Sequence, residues 1–338
     1  MRKGYVADEK RYENIEYSRC GKSGLKLPPL SLGLWHNFGE FSSFHNMKEM
    51  CITAFDEGMT HFDLANNYGP SVGSAEENFG RILEDSLRPY RDELVISTKA
   101  GYDMWEGPYG SWGSRKHLTA SIDQSLRRMR CEYVDIFYHH RMDRNTPLEE
   151  SMGALADIVR RGKALYIGIS NYDRESMEKA AAILRDLKCP CIVNQRRYSI
   201  FDRTIEEDGV KEAAAGQGMG IAAFSPLAQG LLTDKYLFGI PSESRIARDP
   251  RFLKANCLTK ERISQIRKLN EIAGKRGQTL AQMALSWILR DQKICTALIG
   301  ASTPQQIKEN LAVTKNCDFT EEELRKIDEI SIKKVYQE

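Results

Sequence analysis

Residues 60–99 read THFDLANNYGPSVGSAEENFGRILEDSLRPYRDELVISTK. A short apolar run, Thr60–Asp63, ends in an acid. A polar turn punctuated by Gly69 and Pro70 follows and carries a phenol, Tyr68. Ala75–Leu83 then has helical spacing, with Ser74 as its cap and Glu77 in its first turn. A second apolar run, Leu94–Thr98, leads into a lysine, Lys99. Strand, helix, strand is the signature of a parallel sheet.

The same alternation continues in both directions. Upstream lie a strand over Leu30–Trp35 and a helix over Asn46–Glu57, capped by Asn46 and stopped by Gly58. Downstream come a helix at Lys116–Met129, a strand at Tyr133–Tyr138, a helix at Pro147–Arg160 and a strand at Leu165–Ile169. A helix at Asp173–Leu187, a strand at Ile192–Asn194, a short helix at Gly209–Ala215 and a strand at Gly220–Phe224 follow. Ser225–Thr259 shows no element of its own. Helices at Lys260–Arg276 and Thr279–Arg290, a strand at Thr296–Ile299, and helices at Pro304–Leu311 and Thr320–Ile330 close the chain, the last two capped by Thr303 and Thr320. Eight buried strands, each followed by helix, predict an α/β fold: a closed (β/α)8 TIM barrel with additional C-terminal helices. The glycines of Cys20–Gly24 predict an N-terminal β-hairpin across the amino-terminal mouth. Residues 1–14 read as a polar tail or surface arm, and 15–338 as a single barrel domain. An open doubly wound sheet calls for a G-x-G-x-x-G turn after an early strand, and the sequence has none there.

Composition narrows the partners. In 338 residues, 49 Lys and Arg face 47 Asp and Glu, a formal charge of +2, which speaks against nucleic acid or an acidic membrane surface. The chain has no long apolar run for membrane insertion and no apolar segment near its start for secretion, so a cytoplasmic protein is expected. The eight cysteines are scattered, with no zinc-ligand spacing. Reduced thiols and no metal are therefore expected.

Barrels of this type place their chemistry at the carboxyl ends of the strands. Those ends hold Trp35, Asp63, Lys99, His139 and His140, Ser170 and Asn171, Gln195, Phe224 and Ser225, and Gly300–Ser302, whereas amino ends such as Ala164 and Gly220 are plain. A tyrosine has an ordinary pKa of about 10, so to give a proton near neutrality it needs a cation beside it. Lys99 supplies that charge, and Asp63 holds and balances the lysine. A neutral imidazole orients a carbonyl next to the phenol, but alternation alone leaves His139 and His140 equally eligible. Asp63, Tyr68, Lys99 and one histidine suit carbonyl reduction by hydride, because the forming alkoxide needs a donor.

The chain resembles the aldo-keto reductase superfamily over about residues 16–330. The likeness is carried by Phe62-Asp63 through Tyr68-Gly69, Ser97-Thr98-Lys99, Asp135–Arg141, Gly168-Ile169-Ser170-Asn171, Asn194-Gln195, Phe224-Ser225-Pro226-Leu227 and Leu298–Ser302. Leu32–Gly39, Arg141-Met142-Asp143, Asn145–Glu150 and Gly230-Leu231-Leu232-Thr233 make it most similar to the L-glyceraldehyde 3-phosphate reductase group and its relatives, the potassium-channel beta subunits. The resemblance implies His140 as the catalytic histidine, five residues after Asp135. It implies NADPH as cofactor, lying beside Trp35 and Asp63. Ser170, Asn171 and Gln195 would hold its carboxamide, with Phe224 on the ring. Ser225, Pro226, Leu227, Gly230 and Lys235 would run along its pyrophosphate, with the segment after strand seven as a clamp. Gly300, Ser302, Gln306 and Asn310 would surround its adenosine end.

Many members carry a Lys and an Arg for the 2′-phosphate where this chain has Ala301 and Gln306, so Arg245 from the clamp is expected there instead, with Ser302. Trp35 and the aromatic loop Tyr102–Arg115 are expected to wall the pocket; Arg141 or Arg115 could meet an anionic tail or equally pair with a surface carboxylate, the latter being the favoured reading for Arg115. The activity so implied is NADPH-dependent reduction of small aldehydes such as L-glyceraldehyde 3-phosphate or methylglyoxal, in a tetramer or octamer. The alternative is a cofactor-binding regulatory subunit of a potassium channel, although those relatives carry Asn where His140 stands.

Overall fold

In the computed structural model, which describes residues 4–237 and 255–331, the chain opens with an antiparallel hairpin of β1 (Ser18–Arg19) and β2 (Lys26–Leu27). Then come β3 (Leu30–Gly33), α1 (Phe44–Asp56), β4 (His61–Asp63), α2 (Ser74–Ile82), β5 (Val95–Ala100), α3 (Arg115–Met129) and β6 (Val134–His139). They continue through α4 (Leu148–Arg160), β7 (Ala164–Ser170), α5 (Arg174–Asp186), β8 (Cys191–Arg197), α6 (Thr204–Glu207), α7 (Val210–Gly216) and β9 (Gly220–Phe224). The last are α8 (Lys260–Lys275), α9 (Leu280–Leu289), β10 (Ile294–Ile299), α10 (Pro304–Leu311) and α11 (Glu321–Ser331). Strands β3 to β10 form a closed barrel with parallel neighbours, and β10 pairs back onto β3 through Ile299 and Leu32. The expected barrel is the observed one.

The hairpin seals the amino-terminal mouth. Cys20 and Leu27 are fully buried among Val95, Ile192, Ala222 and Cys295 from the early parts of their strands, and Lys22 N donates to Gly218 O at 2.8 Å. Higher in the barrel the buried ring of Tyr138 leans over β7, where a Cβ on Gly168 would stand 2.4 Å from it, so glycine lets the ring fill the interior. Residues 4–14 lie against the outside of the barrel. Tyr5 Oη donates to Asp56 at 2.5 Å, Ala7 N to Tyr90 Oη at 2.9 Å, and Arg11 pairs with Glu93.

Several boundaries differ from the sequence reading. Ser43, not Asn46, caps α1 by accepting from Asn46 N. Gly73, with φ 87, precedes α2, and Ser74 spends its hydroxyl on Ser71 O instead of capping. After α2 the chain winds on through a π turn at Leu83–Leu87 and a 3-10 turn at Arg88–Glu93. Pro89, which has no N–H to donate, lies in the second turn. β8 runs three residues past Asn194, because Gln195, Arg196 and Arg197 continue the ladder beside β9.

Candidate active site

The carboxyl ends of β4 and β5 bring Asp63 opposite Ser97, and alternation then turns Asp63 and Lys99 into the barrel. Lys99 Nζ donates to Asp63 Oδ2 at 2.6 Å and to Leu64 O at 2.6 Å, and stands 3.4 Å from Tyr68 Oη. Both charged side chains are buried. Burial lowers the Lys99 ammonium below its usual range, and Asp63 opposes that fall. Asp63 Oδ1 accepts from Ser97 Oγ at 2.7 Å and Gln195 Nε2 at 3.1 Å. A carboxylate holding three donors is fixed in rotation as well as charge. Burial, then Asp63 and Tyr102, push the Tyr68 phenol well above its ordinary value, so it keeps its proton at neutral pH.

Of the two histidines, His140 faces this centre. Its ring lies 5.9 Å from that of Tyr68 and 4.6 Å from that of Tyr102. On β6, Ile136 and Tyr138 already point into the barrel, and His140 keeps their face. His139 turns outward, bonding Tyr172 Oη at 2.6 Å. Burial, then Lys99, lowers His140 well below its usual value, so the imidazole is uncharged. Its Nδ1 has no hydrogen-bond partner among the described residues. Asp135, five residues earlier, pairs with Arg91 at 2.9 Å and accepts from Ile96 N, tying β5 to β6.

The other predicted residues fall into groups. Ser170 Oγ donates to Gln195 O at 3.0 Å, and Asn171, held at φ 59, donates from Nδ2 to His140 O at 3.1 Å. Trp35, two residues past β3, has its ring 6.1 Å from that of Tyr68. Phe224 ends β9 half-buried, with the Arg197 guanidinium 5.8 Å from its ring. Beyond it Ser225, Ala228, Gln229 and Gly230 all take positive φ around Pro226 and Leu227, and Lys235 is exposed in the next turn.

Gly300 and Ser302 sit where β10 turns into α10, Gln306 lies in the first turn of α10, and Asn310 is buried near its far end. Ser302 N and Oγ both donate to Gln306 Oε1, at 2.9 and 3.1 Å. Arg245 lies outside the described residues, as do residues 238–254 of the expected clamp. Arg141 is sandwiched by Trp112 and Tyr102, 3.5 and 4.4 Å from the ring centroids. Arg115 is committed to Asp157 on α4. Sequence reading missed Ser97 as a partner of Asp63 and Tyr102 as a neighbour of His140. Ser97 had a readable signal: it stands two residues before Lys99 on the same strand face.

The aldo/keto reductase family matches residues 29–332. The chain is 53% identical over 328 residues to the L-glyceraldehyde 3-phosphate reductase of Escherichia coli (strain K12), covering 96% of this chain and 95% of that protein. It is 36% identical over 303 residues to a probable voltage-gated potassium channel subunit beta of Arabidopsis thaliana, covering 88% and 90%. The corresponding protein of Oryza sativa subsp. japonica is 34% identical over 303 residues, with the same coverage.

Proposed function

The chain belongs to the aldo/keto reductase family, and from that premise we propose that it reduces small aldehydes with NADPH, Tyr68 giving the proton and His140 orienting the carbonyl. The observation that carries this reading is the Tyr68 hydroxyl 3.4 Å from a buried lysine that Asp63 clamps at 2.6 Å. Aldo/keto reductases are oxidoreductases that use a nicotinamide cofactor, and the strand ends suit one. Ser170, Asn171 and Gln195 offer hydroxyl and amide groups and Phe224 a flat ring. In the turn Ser225–Gly230, where Ser225, Ala228, Gln229 and Gly230 take positive φ, Ala228 N and Gly230 N close on Ser225 O and Leu227 O, so the amides that would meet a diphosphate are those of Leu227 and Gln229. A Cβ on Gly300 would meet no atom within 4 Å, which leaves room there for the nucleoside end. NADPH over NADH would be set by Ser302 with Arg245.

Bound there, the dinucleotide supplies the hydride. The protein does the rest. Tyr68 holds its proton until the carbonyl oxygen gains charge, then passes it from Oη to that oxygen. Lys99 stabilises the phenolate left behind. Neutral His140 donates a hydrogen bond to the same oxygen and fixes the carbonyl's direction.

The substrate proposed is L-glyceraldehyde 3-phosphate, as in the name of the E. coli relative, with methylglyoxal as a neutral competitor. Arg141 supports an anionic tail. It directly follows His140, and the Tyr102 and Trp112 rings and a 3.0 Å bond to Gly101 O hold it. Its ion-pair partner, Asp103, is exposed and 3.6 Å away.

The test is NADPH oxidation with both aldehydes by the wild type and Tyr68→Phe. The variant is expected to lose at least a hundredfold in kcat, the general-acid contribution being of order 10²–10⁴, while still binding NADPH. Tight binding with no turnover by the wild type would move the reading to a cofactor-binding channel subunit, which the plant relatives' names support. No helix among the described residues is long and apolar enough to cross a membrane, so such a subunit would act by docking. Tetramer or octamer assembly is checked by sizing the purified protein.

A further inference from the structure

Below Asp63 the barrel holds a second polar layer that the proton-donor site does not use directly. His61 shares the inward face of β4 with Asp63, two residues away. Its Nε2 lies 2.9 Å from Ser97 Oγ, and its Nδ1 lies 2.8 Å from Ser31 Oγ. Ser31 Oγ is in turn 2.6 Å from Thr296 Oγ1. All four residues are fully buried. The chain therefore crosses β10, β3, β4 and β5 and ends on the carboxylate that clamps Lys99.

Proton counting gives this chain a direction. A hydroxyl has one proton, and Ser97 spends its own on Asp63 Oδ1. The Ser97 oxygen must then accept, so His61 carries its proton on Nε2. Burial lowers His61 to about 4, so the ring is neutral near pH 7 and Nδ1 is a bare acceptor. Ser31 donates to it, and Thr296 donates to Ser31. The other acceptor near Thr296 Oγ1, Pro29 O, stands at a longer 3.4 Å. Every bond points toward Asp63. Aligned donors polarise one another, and the last bond, to a charged acceptor, gains most.

We propose that His61 is a positioning residue for proton donation: acting through Ser97, it keeps the Asp63 carboxylate rotated onto Lys99, and so sets the pH range over which the Lys99–Tyr68 pair works. The proposal rests on the reductase reading for its kinetic half only. The titratable groups facing that pair are Asp63 from β4, Glu76 from α2, Tyr102 from the loop after β5, and Tyr138 and His140 from β6. Those acting on His61 are Asp63 and Lys99.

The experiment compares His61→Gln, His61→Asn and His61→Leu. A glutamine amide reaches as far as Nε2 and can still donate to Ser97, whereas an asparagine amide reaches only as far as Nδ1. In Leu and Asn the carboxylate loses part of its support, and Lys99 gives up its charge at lower pH. The alkaline limb of the kcat profile is therefore expected to move down by about one unit, with KM for aldehyde and NADPH within twofold of wild type, while Gln keeps the wild-type profile. Nitrogen-15 spectra of labelled histidine in the wild type are expected to give the Nε2–H tautomer for His61.

An Nδ1–H tautomer would reverse the chain and overturn the proposal. So would Gln behaving like Leu, or a fall in kcat and thermal stability in all three with the profile unmoved. A wild type that turns over no aldehyde would overturn the reductase reading instead, and the labelled ring would then decide the wiring alone. Should His61→Leu fail to fold, the contrast of Gln with Asn decides.

Discussion

Lys99 carries its charge where water does not reach, which gives Asp63 a structural duty beside its proposed part in the chemistry. Removing one member of a buried ion pair strands the other and costs roughly 3–5 kcal/mol, whereas replacing both can be nearly neutral. Asp63→Asn is therefore expected to lower the urea midpoint sharply. Asp63→Asn combined with Lys99→Met should recover much of that stability while remaining inactive. Equal midpoints for Asp63→Asn and wild type would mean that the pair is not held as the 2.6 Å contact has it. At this scale the sequence was informative where a residue type is costly to bury. An acid and a lysine at neighbouring strand ends, with a phenol in the turn between, point to chemistry. Ser97 and His61 did not stand out, since a buried serine or histidine is ordinary, and only the two-residue period shared with Lys99 and Asp63 marks them. The same period separates His140 from His139 once Tyr138 is known to face inward.

Between elements, closeness is set by what is missing. Gly80 lies within α2, and a Cβ there would stand 2.2 Å from Arg128 O on α3, a rigid backbone atom. Gly153 lies within α4, where a Cβ would meet only the movable end of Arg115, at 2.9 Å. Gly80→Ala is expected to destabilise by about 2 kcal/mol or more, as overpacking does. Gly153→Ala should be neutral or gain up to about 1 kcal/mol from helix propensity. Thermal melts of the two variants check both, and equal melting temperatures would contradict the close α2–α3 approach. Periodicity placed the helices because it reports the buried face directly. It misplaced the starts of α1 and α2, where Ser43 and Asn46, or Gly73 and Ser74, compete within a turn and the choice depends on tertiary direction. It also cut β8 short, since a strand whose last residues are Gln and Arg gives no apolar signal.

For the molecule as a whole, the buried histidines set an acid limit. Burial holds His61 and His139 each at about 4, against an ordinary 6.5. The unfolded chain takes up these protons near 6.5 and the folded one only near 4. Their contribution is therefore complete above pH 6.5 and is lost as pH falls toward 4, by up to about 1.4 kcal/mol per unit for each ring. Urea midpoints are expected to fall over that interval, and a flat profile would show that the rings can charge inside the fold. The overall architecture was the most legible feature, because eight repeats of one pattern average out local errors. The polar layer under the site was the least legible, because it joins strands far apart in the chain. That distance has a temporal side. β3 leaves the ribosome long before β10, yet each is the other's neighbour. The emerging sheet therefore has two raw edges, which cannot close until β10 has followed. Chains stopped before residue 290 should stick to one another or to chaperones rather than fold.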